Sequence, residues 1–300
     1  MKVSVLMAVY NAESTIAAAM ESLLTQTYQN FEIIIIDDGC SDSTVNIIND
    51  FRDDRVQVIT NPENMGQIKS LNRGIDFCTG DLIARMDADD ISLPPRFQLE
   101  VDAFKADPEL AVVSTGAYKM FTDGSTRKLM LPPRHPEAIR MISMYKSPLV
   151  HISVMIRANL MQSNYRFNDH YLIATDWELW SRILQAGLKV KVLKERTVKF
   201  LVVETSYGAS NRHIKEQENI GIIIQNIFHY TGVRLDAKAA ESILRLHYPK
   251  GPTFSGFWRD LMIWQSVLLK YRYLSIGGYS IFYIYNLAFV VSKNLRSWLK

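Results

Sequence analysis

Four short apolar runs punctuate the first third of the chain: VSVLMAV at 3–9, FEIIIID at 31–37, VQVIT at 56–60 and DLIARMD at 81–87. Each gives way to polar turn residues. Between the first two lies AESTIAAAMESLLTQ, 12–26, in which Ile16, Met20, Leu23 and Leu24 recur at spacings of three and four, the period of a helix. Runs that lack polar alternation belong to strands covered on both faces, so this alternation predicts an α/β fold with a mostly parallel sheet. Such sheets bind ligands at the carboxyl ends of their strands. The polar clusters fall at those ends: YNAE after the first run, DDGCSD after the second and DADD after the fourth.

From about residue 108 the pattern changes. LAVVSTGAYKMF and RKLMLP flank the turn-rich TDGST, which suits an antiparallel hairpin, and HISVMIR at 151–157 reads as a further strand. TDWELWSRILQAG, 175–187, opens on a capping Thr or Asp, carries Leu179, Trp180, Ile183 and Leu184 on one side and stops at Gly187. No clear strand follows residue 205. The expected division is therefore 1–107, 108–205 and a helical region at 206–300.

Hydrophobic residues make up 48% of the 300 positions, which excludes a disordered chain. The net charge of +3 gives no global argument for nucleic acid, but the charge is unevenly placed. From Lys250 onward seven Lys or Arg face one acid, Asp260; that +6 leaves −3 for everything before it. Cys40 and Cys78 are too few for a disulfide framework and lack metal-ligand spacing, so a reducing compartment is expected. The opening MKVSVLMAVYN has no small-residue cleavage site and reads as a buried first strand rather than a leader.

The carboxylates Asp87, Asp89 and Asp90 stand at the end of the fourth run. Adjacent carboxylates repel and resist desolvation, so they form either a solvated turn or a site that holds something positive. No Ser-His-Asp or Cys-His constellation offers a competing chemistry.

The stretches VSVLMAVYNAESTIAAAMESLLTQTYQNFEIIIIDDGCSDST, NPENMGQIKSLNRGI and GDLIARMDADD resemble, in order and spacing, the nucleotide-sugar half of the family 2 glycosyltransferases. The resemblance covers roughly residues 1–205, and DWELW is similar to the acidic motif of that family's acceptor half. It implies the GT-A fold, a Rossmann-like, mostly parallel sheet with an acceptor-binding half. It also implies an inverting transfer from a nucleotide-sugar donor, UDP- or dTDP-linked, to a hydroxyl of a glycan or lipid-linked glycan. By the same resemblance Asp89 is a ligand of Mn²⁺ or Mg²⁺, and Asp87 lies by the metal or the ribose. Asp38 meets the base, and Tyr10 packs on it beside the Ala8 and Val9 backbone. Asp37 caps its turn, and Asp90 supports the cluster or caps a helix.

Several assignments keep two readings. Glu13 belongs either to the nucleotide site or to the favoured acidic first turn of a helix. Lys69 is a diphosphate ligand or a surface lysine. Asp176 matches the family's base, with Glu178 as its rival, or is an N-cap. Trp177 is an acceptor platform and Trp180 core; His151 faces the diphosphate or is a buried structural histidine. Two other classes are a haloacid-dehalogenase-type phosphotransferase using the D-x-D and an inactive scaffold that only binds nucleotide.

The tail extends the expectation to location. FWRDLMIWQSVLLKYR places Trp258, Leu261, Trp264 and Leu268 on or near one helix side, and 273–291 is an uncharged run of nineteen flanked by basic residues. Aromatic helices with basic flanks suit the lipid headgroup boundary. The expectation is a cytoplasmic enzyme attached to the inner face of the membrane, with packing on the catalytic body or a dimer contact as the alternative.

Overall fold

The computed structural model describes residues 1–129, 131–202, 210–247 and 260–267. The four apolar runs form β1 (Val3–Val9), β2 (Phe31–Asp37), β3 (Val56–Thr60) and β4 (Leu82–Arg85), with helices α1 (Ile16–Leu24), α2 (Thr44–Asp50) and α3 (Gln67–Ile75) between them. They pair in parallel in the order β3-β2-β1-β4. Then come β5 (Ile91–Ser92), α4 (Arg96–Ala106), β6 (Leu110–Met120), β7 (Thr126–Lys128), α5 (Pro136–Ser143), β8 (Val154–Arg157), α6 (Ala158–Ser163), α7 (Thr175–Gln185) and β9 (Lys189–Leu201). β8 runs antiparallel between β4 and β6, β9 lies parallel to β6, and β5 closes the nine-stranded sheet. The two hairpin runs thus become β6 and β7, whereas residues 151–153 form a 3-10 turn ahead of β8.

Strand side chains alternate between two cores, which is why the runs show no polar alternation. Val3, Val5, Met7, Ile33, Ile35, Leu82 and Ala84 face α1 and α4, where Ile16, Met20, Leu23, Phe97, Val101 and Phe104 cover them. Leu6, Ile34, Ile36 and Ile83 face the opposite way, against Leu71 and Ile75 of α3 and Leu179, Trp180 and Ile183 of α7. Gly74 lets α3 approach this second face closely; a methyl group there would collide with Leu6 and Ile36.

The apolar runs carry no expectation of a strand at 189–201, yet β9 is thirteen residues long. Six charged residues between Lys189 and Lys199 interrupt its apolar content, but KVKVL begins a period-two pattern, and Lys189 and Lys191 are exposed while Val190 and Val192 are buried.

A third core joins α5 and the start of α7 to helices Arg212–Thr231 and Ala237–His247 and to residues 260–267. Leu261 and Trp264, expected at a lipid boundary, are buried in it, with Trp264 edge-on to Tyr145 at 5.1 Å between ring centres. An indole enclosed by protein is not available to lipid, so at 260–267 the packing alternative holds. Trp258, Leu268 and the run 273–291 lie outside the described residues. No helix among the described residues is long and apolar enough to cross a membrane.

Beneath the carboxyl end of β4 sits a fully buried ion pair, Arg96 with Glu100, at 3.4 Å. Arg96 Nη2 donates to the carbonyls of Arg85 (2.9 Å) and Val154 (3.3 Å), tying α4 to β4 and β8. Burial pushes the Glu100 carboxyl up to about 8 against the pull of Arg96. Removing one member of a buried pair strands the other, so Arg96→Met is expected to cost about 3–5 kcal/mol. The double change Arg96→Met/Glu100→Leu should regain part of that loss. Urea unfolding of the three proteins checks this, and a single variant within about 1 kcal/mol of wild type would overturn it.

Candidate active site

The carboxyl ends of β1, β2 and β4 and the first turn of α3 enclose an open cleft of about 960 Å³. Ala8, Val9, Tyr10, Asp38, Lys69, Asp87 and Asp89 all line it, so seven residues expected from separate motifs converge on one site. Tyr10 is 55% exposed there. After it the chain turns through Asn11 at φ 48°, a left-handed conformation that asparagine tolerates. Asn11 Oδ1 accepts the Ser41 N–H at 2.8 Å, joining the loops after β1 and β2.

Asp38 is only 3% exposed and organises the opposite wall. Its Oδ1 accepts from Asn61 Nδ2 and the Met65 N–H, both at 2.8 Å, and its Oδ2 from the Gly66 N–H at 2.9 Å. A carboxylate offers about four acceptor positions, so one remains for a ligand donor. Gly66, at φ 85° and ψ 155°, adopts a backbone that side-chain-bearing residues avoid. Gly66, Gln67, Ile68 and Lys69 then bring a helix N-terminus and a lysine to the cleft, an arrangement that favours anions.

The acidic cluster is resolved one charge at a time. Asp87 is ion-paired with Arg85 and accepts from Gln67 Nε2 at 3.1 Å. Asp90 is buried and accepts the Leu201 N–H at 3.0 Å; it caps no helix. Burial first, then Asp87 and Asp89, push the Asp90 carboxyl up to about 8, leaving it largely uncharged at neutral pH. Lost hydration, then the Asp87 charge, raises Asp89 above the ordinary carboxylate range as well. Among the described residues no group of three or more His, Cys, Asp or Glu closes on a metal by itself. Asp87 and Asp89 could supply only part of a coordination shell.

Other expected residues lie away from the cleft walls. Glu13 Oε2 accepts the Ser43 N–H at 3.0 Å and so ties α1's approach to α2. Asp37 caps its turn by accepting the Cys40 N–H at 2.8 Å. Trp177 is 2% exposed and its Nε1 donates to the Ser143 carbonyl at 2.8 Å, which makes it core rather than a platform. Glu178 is buried and ion-paired with Arg182 at 2.7 Å, so it is engaged structurally. His151 Nε2 accepts from Arg85 Nε at 3.2 Å, and burial, then Arg85, hold its proton affinity below the usual range. It therefore belongs to the Arg85–Asp87 system beneath the site. Asp176, half-buried in the first turn of α7, accepts from Ser147 Oγ at 3.0 Å and influences His151 electrostatically.

Asp169 and Leu172 line the cleft without having been expected. They sit in an aperiodic stretch, where only the polar cluster NDH hinted at a site. Cys40 and Cys78 are free, and burial pushes their thiols up to about 11 and 12, so neither is a reactive nucleophile.

Comparison with known proteins decides the family. The model of Glycosyl transferase family 2 matches residues 4–163. The chain belongs to that family. It is 30% identical over 200 residues to the amylovoran biosynthesis glycosyltransferase AmsE of Erwinia amylovora, covering 65% of this chain and 74% of AmsE. It is 32% identical over 189 residues to the Escherichia coli UDP-Glc:alpha-D-GlcNAc-diphosphoundecaprenol beta-1,3-glucosyltransferase WfaP, covering 63% and 72%. Residues 1–349 of Staphylococcus aureus TarS, solved with UDP-GlcNAc, superimpose with a TM-score of 0.63 at 19% identity, over 89% of this chain and 80% of that fragment. The mannosyltransferase PcManGT of Pyrobaculum calidifontis, solved with GDP-Man and Mn²⁺, gives 0.60 at 17%, over 99% and 82%. The fold is GT-A, and this family 2 member is a glycosyltransferase enzyme.

Because Asp38 satisfies three donors of the 61–66 segment, Asp38→Ala should expose that wall. Loss of one buried acceptor costs on the order of 1–3 kcal/mol. The expected result is lower stability and faster hydrogen exchange at the Met65 and Gly66 amides. Unchanged exchange at those amides would refute the account.

Proposed function

We propose that this enzyme is an inverting, divalent-metal-dependent transferase that moves a sugar from a UDP- or dTDP-sugar to a hydroxyl of a glycan or lipid-linked glycan. The observation that carries the reading is the convergence of Tyr10, Asp38, Lys69, Asp87 and Asp89 on one cleft at the strand ends. Asp38's remaining acceptor position suits the imide N–H of uracil or thymine. The first turn of α3 and Lys69 attract the diphosphate. A UDP-GlcNAc complex of the same fold and the lipid-diphosphate acceptor named for WfaP support the donor and acceptor classes.

The donor set at β4 fits a hard divalent cation. Asp87 and Asp89 offer carboxylate oxygens, the Asp89 carboxyl being raised by lost hydration and then by the Asp87 charge, and two carboxylates with water and phosphate oxygens are a usual Mg²⁺ or Mn²⁺ environment. Bound there, the ion would neutralise charge on the departing diphosphate. Asp176 acts as the base: Ser147 orients Oδ2, and Oδ1 takes the proton as the acceptor oxygen attacks the anomeric carbon. A single displacement inverts that carbon. The +6 tail supports attachment at the inner face of a membrane, where a lipid-linked acceptor would be met.

Asp89→Ala should abolish transfer and Mn²⁺-dependent UDP stabilisation while the fold survives, as read by circular dichroism and thermal shift. Undiminished wild-type activity in chelator would sink the metal assignment. Asp176→Asn should bind UDP normally yet lose transfer by about 10²-fold or more, the usual effect of removing a general base. A dead Asp169→Asn beside an active Asp176→Asn would move the base to the cleft-lining carboxylate.

A further inference from the structure

Helix α7 starts at Thr175 after Ala174, whose side chain cannot cap it, and no side-chain cap is made locally. Backbone N–H groups at such a helix start need an acceptor from elsewhere. Glu218, on helix Arg212–Thr231, reaches the N-cap residue Ala174 and the two residues before it. Its Oε1 accepts the Leu172 N–H at 2.6 Å, and its Oε2 accepts those of Ile173 at 3.0 Å and Ala174 at 2.8 Å. Three consecutive amides thus converge on one carboxylate more than forty residues away in sequence. The segment so held carries cleft-lining Leu172 and leads two residues later into Asp176.

A second attachment on the same helix is independent of the first. Asn226, fully buried, donates to the Ser143 carbonyl at 2.6 Å and Ser181 Oγ at 2.8 Å, and accepts from Gln185 Nε2 at 2.7 Å. Glu218 and Asn226 are eight residues apart, about 12 Å along a helix, and they meet the start and the later turns of α7. Ile222, Ile223 and Ile227 pack the same helix into the third core. Docking of the helix therefore does not depend on Glu218, whereas the order of 172–174 does.

We propose that Glu218 is a positioning residue for glycosyl transfer: it fixes the segment before α7 and thereby sets where Asp176 meets the acceptor hydroxyl. This rests on the reading of Asp176 as base. The helix beyond the region matched by the family model is then part of the transfer apparatus. The donor-side residues Asp38, Lys69, Asp87 and Asp89 make no hydrogen bond to Glu218, so donor binding should not depend on it.

The test uses the full chain with Glu218→Ala and Glu218→Gln, a pooled set of labelled UDP-sugars with Mn²⁺, and a short-chain polyprenyl-diphosphate-linked sugar as acceptor. Glu218→Ala should exchange the 172–174 amides at least tenfold faster and lose at least tenfold in kcat/KM for transfer. UDP affinity should stay within twofold, and Glu218→Gln, keeping one acceptor oxygen, should fall between. Unchanged amide exchange, transfer within twofold of wild type, or UDP affinity falling in step with transfer would each overturn the proposal, as would both variants failing to fold. A wild-type protein that neither binds UDP nor transfers sugar would count against the proposed function instead, while amide exchange still reports on the clamp.

Discussion

Like charge gathered at the end of a buried strand governs the architecture around β4. Asp87, Asp89 and Asp90 cannot all be ionised side by side without compensation, and each meets a different one. Arg85 pairs Asp87; burial keeps a proton on Asp90; Asp89 is left facing the cleft. The compensation carries its own requirement, because Arg85 is itself buried and lies above Arg96. Burial first, then the neighbouring Arg85, disfavours the Arg96 charge, and Arg96 is held by its bonds to the Arg85 and Val154 carbonyls and by the adjacent Glu100 carboxyl. The mouth of the cleft thus rests on a buried guanidinium that ties α4 to β4 and β8.

What the sequence disclosed follows from the same physics. β1 and β2 are covered on both faces, so their apolar runs gave their boundaries directly. The residues at their ends had to be polar for another reason, and five of the expected donor-site side chains do share the cleft. Charged residues defeated the pattern elsewhere. Lys189 and Lys191 of β9 face water, and its lysines hid a strand that pairs along β6. Burial of Arg85 and Arg96 had no signal in the sequence, since it depends on distant partners, the Arg85 and Val154 carbonyls for Arg96 and His151 for Arg85. Trp177 and Glu178 stood in a motif that looks catalytic, but one turn of helix separates directions, so only part of a motif can face a site.

The two sides of the cleft are built differently. One wall uses loops directly after β1, β2 and β4, each a short extension of a strand fixed in the sheet. Its residues are close in sequence to the elements that hold them. The other has no such frame: Asp169 and Leu172 lie within the irregular stretch between α6 and α7, just ahead of Asp176. Hydrogen bonds must come from elsewhere, and those from helix Arg212–Thr231 are the ones found.

That arrangement constrains how the tail can serve both the protein and a membrane. Leu261 and Trp264 spend their apolar faces on the third core, which they share with Trp177 of α7. A helix cannot bury one stripe in protein and the same stripe in lipid. Residues 260–267 are therefore committed to the body through that stripe, and Met262, 66% exposed, points the other way along that helix. Because the third core also takes in Ala174 and Trp177, the residues that bury Leu261 and Trp264 bracket Asp176 at the start of α7.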